Sequence, residues 1–240
     1  NADAFCEPYR RPALSLFNDF CDAVLRDTGQ RRMHLQTTAR SIRNIRGGYR
    51  IETDQGSLEA ERVILAPGRE NSLDIPNWAW EEGFLDAEKP FVSHLFQPDF
   101  DPAYLEYPAA VVGGGLSAVQ FAVRLTETAA ADGQVILVSD GPVEVSQYDA
   151  PPCWNGPRCL KPFKNMHNRE ERFNMLFGAR SGGSIPEDAL KLFQKALDSG
   201  RLVHRQSAAA GIKKDRLSGE ILLNLQNGTD LKVNRIVLAT

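Results

Sequence analysis

Gly113, Gly115 and Ala118 stand at G-x-G-x-x-A spacing in the run Val111-Val112-Gly113-Gly114-Gly115-Leu116-Ser117-Ala118. Small residues at these intervals suit a backbone that turns sharply out of a strand, comes close to a pyrophosphate and packs a following helix on that strand. Gly113 permits the turn. Gly115 lets the backbone approach a phosphate resting on the amides of a helix N-terminus, and Ala118 lets the helix lie close. Gly114, Leu116 and Ser117 complete the loop, so all six residues are expected to form a dinucleotide site. A glycine-rich turn without a ligand has the same composition, so the assignment depends on a strand before it and a helix after it.

Discrimination between dinucleotides is normally made after the second strand of such a unit, where a carboxylate receives the ribose hydroxyls and repels a 2′-phosphate. Asp140 stands there, 27 positions beyond Gly113, against a usual spacing of about 20. It is the candidate ribose ligand and would favour NAD over NADP. Asp140-Gly141-Pro142 also reads as a plain solvated turn, and Arg158, Arg169, Arg172 or Arg180 could supply a phosphate site instead. The loop from Asp149 to Arg158, with Trp154 and three prolines, either lines a nicotinamide or substrate cleft or simply wraps the domain. His34, His94, His167 and His204 show no ligand spacing, so no metal site and no catalytic set follows. Cys6, Cys21, Cys153 and Cys159 include no C-x-x-C pair and are expected as reduced, structural thiols.

The elements that must position this loop are legible in outline. After Pro12 the apolar residues Leu14, Phe17, Phe20, Cys21, Val24 and Leu25 recur at helical spacing, with Gly29 as a stop. A strand-like stretch from Leu35 to Ile45 precedes a hairpin around Asp54-Gln55-Gly56. That hairpin feeds Val63-Ile64-Leu65-Ala66-Pro67-Gly68, which reads as a strand buried on both faces. The stretch from Asn71 to Pro108 has no sustained period and reads as an irregular connection. Ala109 to Val112 as a strand, Leu116 to Ala131 as a helix and Val135 to Val138 as a strand make a βαβ unit. Tyr148 to Lys164 reads as loop, and Ser184-Ile185-Pro186-Glu187 as a capping box opening a helix with Leu190, Phe193, Ala196 and Leu197, closed by Gly200. Gly56, Leu58, Arg62, Val63, Ile64, Leu65 and Ala66 recur as Gly228, Leu231, Arg235, Ile236, Val237, Leu238 and Ala239, once Asp230 is allowed as an insertion. A hairpin feeding a buried strand is thus expected twice.

A net charge of −3 with both signs interspersed gives no one-signed field for nucleic acid or an anionic membrane surface. No apolar run is long enough to span a bilayer, so a soluble, cytoplasmic protein is expected. The opening Asn1-Ala2 and the closing Ile236-Val237-Leu238-Ala239-Thr240 suggest a portion of a longer protein.

A G-x-G-x-x-A unit flanked by two buried strands ending in Ala-Pro-Gly or Ala-Thr resembles the flavoproteins with two dinucleotide-binding domains. These include the pyridine nucleotide-disulfide oxidoreductases, the flavin-containing monooxygenases and the lysine and ornithine N-hydroxylases. The resemblance implies an α/β fold: a Rossmann-like NAD(P)-binding domain with a parallel sheet and a β-meander over residues 107–240, a partial FAD-type domain over 1–70, and a linker over 71–106. It implies NAD or NADP as one cofactor and FAD as another in the full-length parent, hydride passing from the first to the second, and a small-molecule substrate. The lack of C-x-x-C and the run Gly115-Leu116-Ser117-Ala118-Val119-Gln120 favour the monooxygenase branch. No G-x-G-x-x-G stands upstream of residue 66, so the FAD pyrophosphate site is not in this chain. The missing FAD-domain segments would then be its partner. A dinucleotide sensor or interaction module without redox turnover is the reading from another class.

Overall fold

The computed structural model describes residues 4–6, 11–67, 73–83, 85, 90–128, 133–180, 183–214 and 221–240. The chain divides into two units, Asn1–Gly68 and Arg69–Thr240.

The first unit opens with a short antiparallel pair, β1 (Phe5–Cys6) and β2 (Arg11–Pro12), followed by the helix α1 (Leu14–Asp27). The helix covers the expected apolar repeat, and Gly29 in the left-handed region at φ +69° turns the chain away after it. The strands β3 (Ala39–Ile45), β4 (Gly48–Thr53) and β5 (Gly56–Ala60) form an antiparallel meander. Opposed residues Arg50 and Glu59 are paired across it at 2.7 Å. Gly56, at φ +128°, makes the hairpin turn that the sequence announced.

Val63–Pro67 corrects an expectation. This run forms no strand, and Ile64 and Leu65 are 92% and 73% exposed. A strand apolar on both faces needs neighbours on both edges and layers on both sides, and the described residues of this unit supply neither.

The second unit is built on a five-stranded, all-parallel sheet. Its strands are β6 (Val92–His94), β7 (Ala109–Val112), β8 (Val135–Ser139), β11 (Leu202–Gln206) and β15 (Arg235–Leu238), in the order β11-β8-β7-β15-β6. The helix α2 (Leu116–Thr128) connects β7 to β8. Two short strands, β9 (Glu144–Val145) and β10 (Ser184–Ile185), pair with each other and enclose the helices α3 (Pro157–Asn165) and α4 (Arg169–Ala179). The helix α5 (Glu187–Asp198) leads to β11. An antiparallel meander of β12 (Ala209–Lys214), β13 (Ile221–Leu225) and β14 (Asp230–Val233) precedes β15.

Three layers follow from the apolar pattern. Every residue of β7 and β8 is buried, as a central parallel strand requires. On one face Val111, Val135 and Leu137 pack against Ala118, Val119, Ala122 and Leu125 of α2 and Phe193 of α5. On the other face Ala110, Val112, Ile136, Val138 and Leu238 pack against Ile212, Ile221, Leu223 and Val233 of the meander. The second hairpin-plus-strand expectation is met here, with Gly228 turning at φ +83° and β15 buried beyond its first residue, Arg235.

Several boundaries differ from the sequence reading. Residues 71–106 supply β6 as well as short 3-10 turns at Asn77–Gly83 and Pro102–Tyr104. The helix expected to run to Ala131 is described as far as Thr128, and residues 129–132 lie outside the described set. Tyr148–Lys164, read as loop, contains a 3-10 turn at Pro152–Asn155 and most of α3. Pro157 sits in the first turn of α3, where its missing N–H costs nothing. The capping box does not form: Pro186 is the N-cap of α5 and offers no side-chain bond, while Ser184 is a buried strand residue. Glu187 and Asp188 offset the positive end of the helix dipole instead. Cys153 and Cys159, expected as free thiols, form a disulfide, because the 3-10 turn brings Cys153 within 5.4 Å of Cys159 in the first turns of α3, Cα to Cα. Cys21 is free.

The hydroxyl of Thr240, which follows β15, donates to the carbonyl of Asp74, which precedes β6 in the chain. Among the described residues no helix is long and apolar enough to cross a membrane.

Leu137 is fully buried at the centre of the sheet. Leu137→Ala is expected to destabilise the second unit by about 2–5 kcal/mol, read as a lowered urea midpoint.

Candidate functional site

All five parallel strands present their C-terminal ends on one side, where His94, Gly113, Ser139, Gln206 and Ala239 stand. The strand order reverses beside β7: β8 lies to one side of it and the late strand β15 to the other. Ligands of open parallel sheets bind at such a point, and Gly113–Ala118 leaves β7 there.

Each small residue of the loop has a measurable task. Gly113 lies at φ +150°, and a Cβ on it would stand 2.5 Å from the Ala239 carbonyl oxygen and 3.0 Å from the Ala118 Cβ. Its N–H donates to Val138 across the sheet at 2.9 Å. Ala118 is fully buried beneath the turn. Gly115 is different, since a Cβ there would meet only the Gly183 Cα at 3.7 Å. A Cβ on Gly115 would thus touch the Gly183 backbone at ordinary van der Waals distance, without a clash. The first intrahelical bond of α2 runs from the Val119 N–H to the Gly115 carbonyl at 3.1 Å, so the amides before Val119 make no bond within the helix and form its positive end. Leu116 is half-buried and Ser117 exposed at that end.

At the end of β8, Asp140 is exposed, and the residue that sits under the loop is Ser139. Ser139 is 4% exposed, and its Cβ is 3.4 Å from where a Cβ on Gly114 would lie. Its hydroxyl donates to the Gly141 carbonyl at 2.5 Å and is 2.8 Å from Nε2 of His204 on β11. Burial pushes the His204 imidazole below its ordinary value.

A second approach to the loop comes from the segment before α5. Gly183, at φ +116°, places its backbone against Gly115, and a Cβ on it would be 3.1 Å from the Gly115 Cα. Ser184 beside it donates to Asp149 at 3.3 Å. This bond ties the start of the 149–158 loop to the segment beside Gly183. Trp154 packs edge-on against Phe163 of α3 at 5.7 Å, and the Arg172 guanidinium lies over the same ring at 4.4 Å. Arg158, Arg169 and Arg180 are exposed on or beside α3 and α4.

His94, at the end of β6, is 1% exposed, and its Nδ1 accepts from the Phe96 N–H at 3.1 Å. Burial lowers its pKa, against opposing effects of the Thr240 carbonyl and the Asp74 charge. A separate cleft of about 610 Å³ opens where β15 begins, lined by Ser93, Phe100, Tyr104 and Arg235. Arg235 is paired there with Glu106 at 3.0 Å, and no residue of the glycine loop lines this cleft.

The sequence reading named the loop and Asp140 as site residues and did not so name Ser139, His204 or Gly183, which the structure places beside the loop. Ser139 is the last residue of an apolar strand, and Gly182-Gly183 is a visible pair. Nothing in the sequence joins His204 to either.

A family model described as pyridine nucleotide-disulphide oxidoreductase matches residues 20–240. Among solved structures the chain is similar to the L-lysine 6-monooxygenase of Pseudomonas syringae, with 22% identity and a TM-score of 0.71 over 96% of this chain and 58% of that one. It is similar to an ornithine N-hydroxylase of Kutzneria sp. 744, solved with reduced FAD, NADP+ and L-ornithine, at 18% identity and a TM-score of 0.64 over 95% and 59% of the two chains. It is similar too to the bacillithiol disulfide reductase of Bacillus cereus, at 16% and 0.59 over 98% and 57%. The chain thus spans under two thirds of the length of these structures. No curated protein sequence matches it.

Two pH and packing predictions follow from this geometry. The depressed pKa values of His94 and His204 mean that the folded chain binds fewer protons than the unfolded chain below the ordinary value of 6.5. The stability they contribute is complete above that pH and is lost as the pH falls through and below it. A urea midpoint that is flat above pH 7 and declines on acidification below about 6.5 is the expected profile, with a shallower decline in His204→Gln. Gly113→Ala is expected to lower the thermal midpoint more than Gly115→Ala, because the first Cβ clashes with a backbone oxygen at 2.5 Å whereas the second only touches the Gly183 Cα at 3.7 Å. The chain belongs to the pyridine nucleotide-disulphide oxidoreductase family.

Proposed function

We propose that this member of the family is the nicotinamide-dinucleotide-binding portion of an FAD-dependent NAD(P)H oxidoreductase, monooxygenase-like in its chemistry and cytoplasmic. The observation that carries the reading is the glycine turn from β7 into the amide-rich N-terminus of α2, at the point where the strand order reverses. A pyrophosphate fits that arrangement: the loop has no side chain to exclude it, and unpaired amides of a helix terminus hold an anion. Gly113, Gly114, Gly115, Leu116, Ser117 and Ala118 would hold the pyrophosphate, and Asp140, one residue beyond Ser139, the adenosine ribose. Asp140 favours NAD, whereas the similar ornithine N-hydroxylase was solved with NADP+.

Bound there, a reduced nicotinamide supplies hydride to a flavin. The chain's own residues bind and orient. The helix terminus neutralises phosphate charge, Gly183 narrows the space beside Gly115, and the buried Ser139 supports the loop from below. The small-molecule substrate would meet the flavin, for which this chain has no second glycine fingerprint. The chain alone is therefore expected to bind FAD poorly and to be inactive. Its proposed partner is the remainder of an FAD domain, which would cover the exposed Leu14, Phe17 and Phe20 of α1 together with Ile64 and Leu65. Exposed apolar groups in such numbers are rare on a free surface.

Calorimetric titration of the chain with NADH, NADPH and FAD in parallel tests this. Binding of a nicotinamide dinucleotide without FAD is expected, and tight FAD binding or no binding of either kind would refute it. Gly115→Val is expected to abolish dinucleotide binding with the fold intact, as its branched side chain would reach into the position proposed for the pyrophosphate. Asp140→Ser is expected to shift preference toward NADPH.

A further inference from the structure

We infer that His204 is a positioning residue of this site: by holding Ser139 it fixes the turn that carries Asp140, and so governs how the site distinguishes a free ribose from a 2′-phosphorylated one. The inference rests on the dinucleotide reading above.

The argument begins with the proton count on one oxygen. The Ser139 hydroxyl has a single hydrogen, and at 2.5 Å from the Gly141 carbonyl that hydrogen is committed to Gly141, since a carbonyl can only accept. The 2.8 Å contact with His204 must then run the other way, with the imidazole Nε2–H donating to Ser139 Oγ. This selects one tautomer of His204, the one protonated on Nε2. The doubly protonated ring would donate as well, but burial disfavours it, which favours the neutral Nε2–H tautomer.

The ring is itself held. His204 lies opposite Leu137 in the parallel pairing of β11 with β8, and it stands edge-on to Phe193 of α5 at 5.5 Å with an interplanar angle of 77°. Phe193 is a core residue. A chain of contacts therefore runs from the helix core through His204 and Ser139 to the carbonyl of Gly141. Asp140 lies between its two anchored neighbours: its backbone is tied on both sides while its carboxylate stays in solvent. A carboxylate on a fixed turn meets ribose hydroxyls at a fixed place and confronts a 2′-phosphate there. On a loosened turn it can swing away. Ser139 also lies beneath Gly114, which links the same chain of contacts to the phosphate loop.

The test compares His204→Phe, which keeps a ring against Phe193 and removes the donor, with His204→Gln, which keeps a donor. Both are titrated with NADH and NADPH, alongside Ser139→Ala, which severs the same link from the other side. The quantity read is the ratio of the two dissociation constants. Losing one part-buried hydrogen bond in the chain is expected to change that ratio about five- to tenfold in His204→Phe and in Ser139→Ala, while His204→Gln restores it to within about twofold of the unsubstituted chain. A merely structural His204 would lower the thermal midpoint and leave the ratio unmoved, and that result overturns the inference while leaving the dinucleotide reading standing. Should His204→Phe fail to fold, the ratio in Ser139→Ala decides. Failure of the unsubstituted chain to bind either dinucleotide overturns the reading and the inference together.

Discussion

The site depends on how closely three backbones approach at Gly113. Strand β7 ends there, β15 passes with its Ala239 carbonyl 2.5 Å from the position of a missing Cβ, and α2 arrives with the Ala118 Cβ at 3.0 Å from the same point. With no side chain, the late strand can lie beside the first strand of the unit and the helix can start directly above both. Were the approach looser, the N-terminus of α2 would point past the sheet edge, and its unpaired amides would face water rather than a bounded space. The meander that covers the second face of the sheet is fed into β15 from β14, so its placement also depends on that strand reaching its slot.

The electrostatics of the site come mainly from fixed dipoles. No formal cation sits on the loop itself, and the arginines that could have served as phosphate ligands stand on or beside α3 and α4, one of them engaged with an aromatic ring. What the loop presents is the positive end of a helix, with a buried hydroxyl and an imidazole whose charging burial disfavours behind it. Such groups need little reorganisation when an anion arrives, and they are less sensitive to ionic strength than mobile surface charges.

How much of this was legible in the sequence varied with the range of the interaction. The βαβ unit was readable because its signal is local: Ala109–Val112 and Val135–Val138 are unbroken apolar runs, and the residues between repeat at helical spacing. The same rule misled at Val63–Ala66, since a run of that kind states what a strand needs and not whether neighbours are there to provide it. In α3, prolines read as loop markers, although one of them lies in the first turn where a helix accepts it. The helix α4 carried Asn168 as its cap and Phe173, Leu176 and Phe177 on one side, a signal that went unused. The disulfide and the bond from His204 to Ser139 were beyond reach for different reasons. The first depends on a local turn that the prolines concealed, and the second joins residues 65 positions apart whose meeting is decided by strand order.

The bond from the Thr240 hydroxyl to the Asp74 carbonyl has a topological meaning. It joins residues 166 positions apart and so closes a stretch of chain that holds the parallel sheet and both layers covering it. A contact of that span is costly in loop entropy until the intervening elements have folded. It therefore belongs to the completed fold of the unit and not to its nucleus.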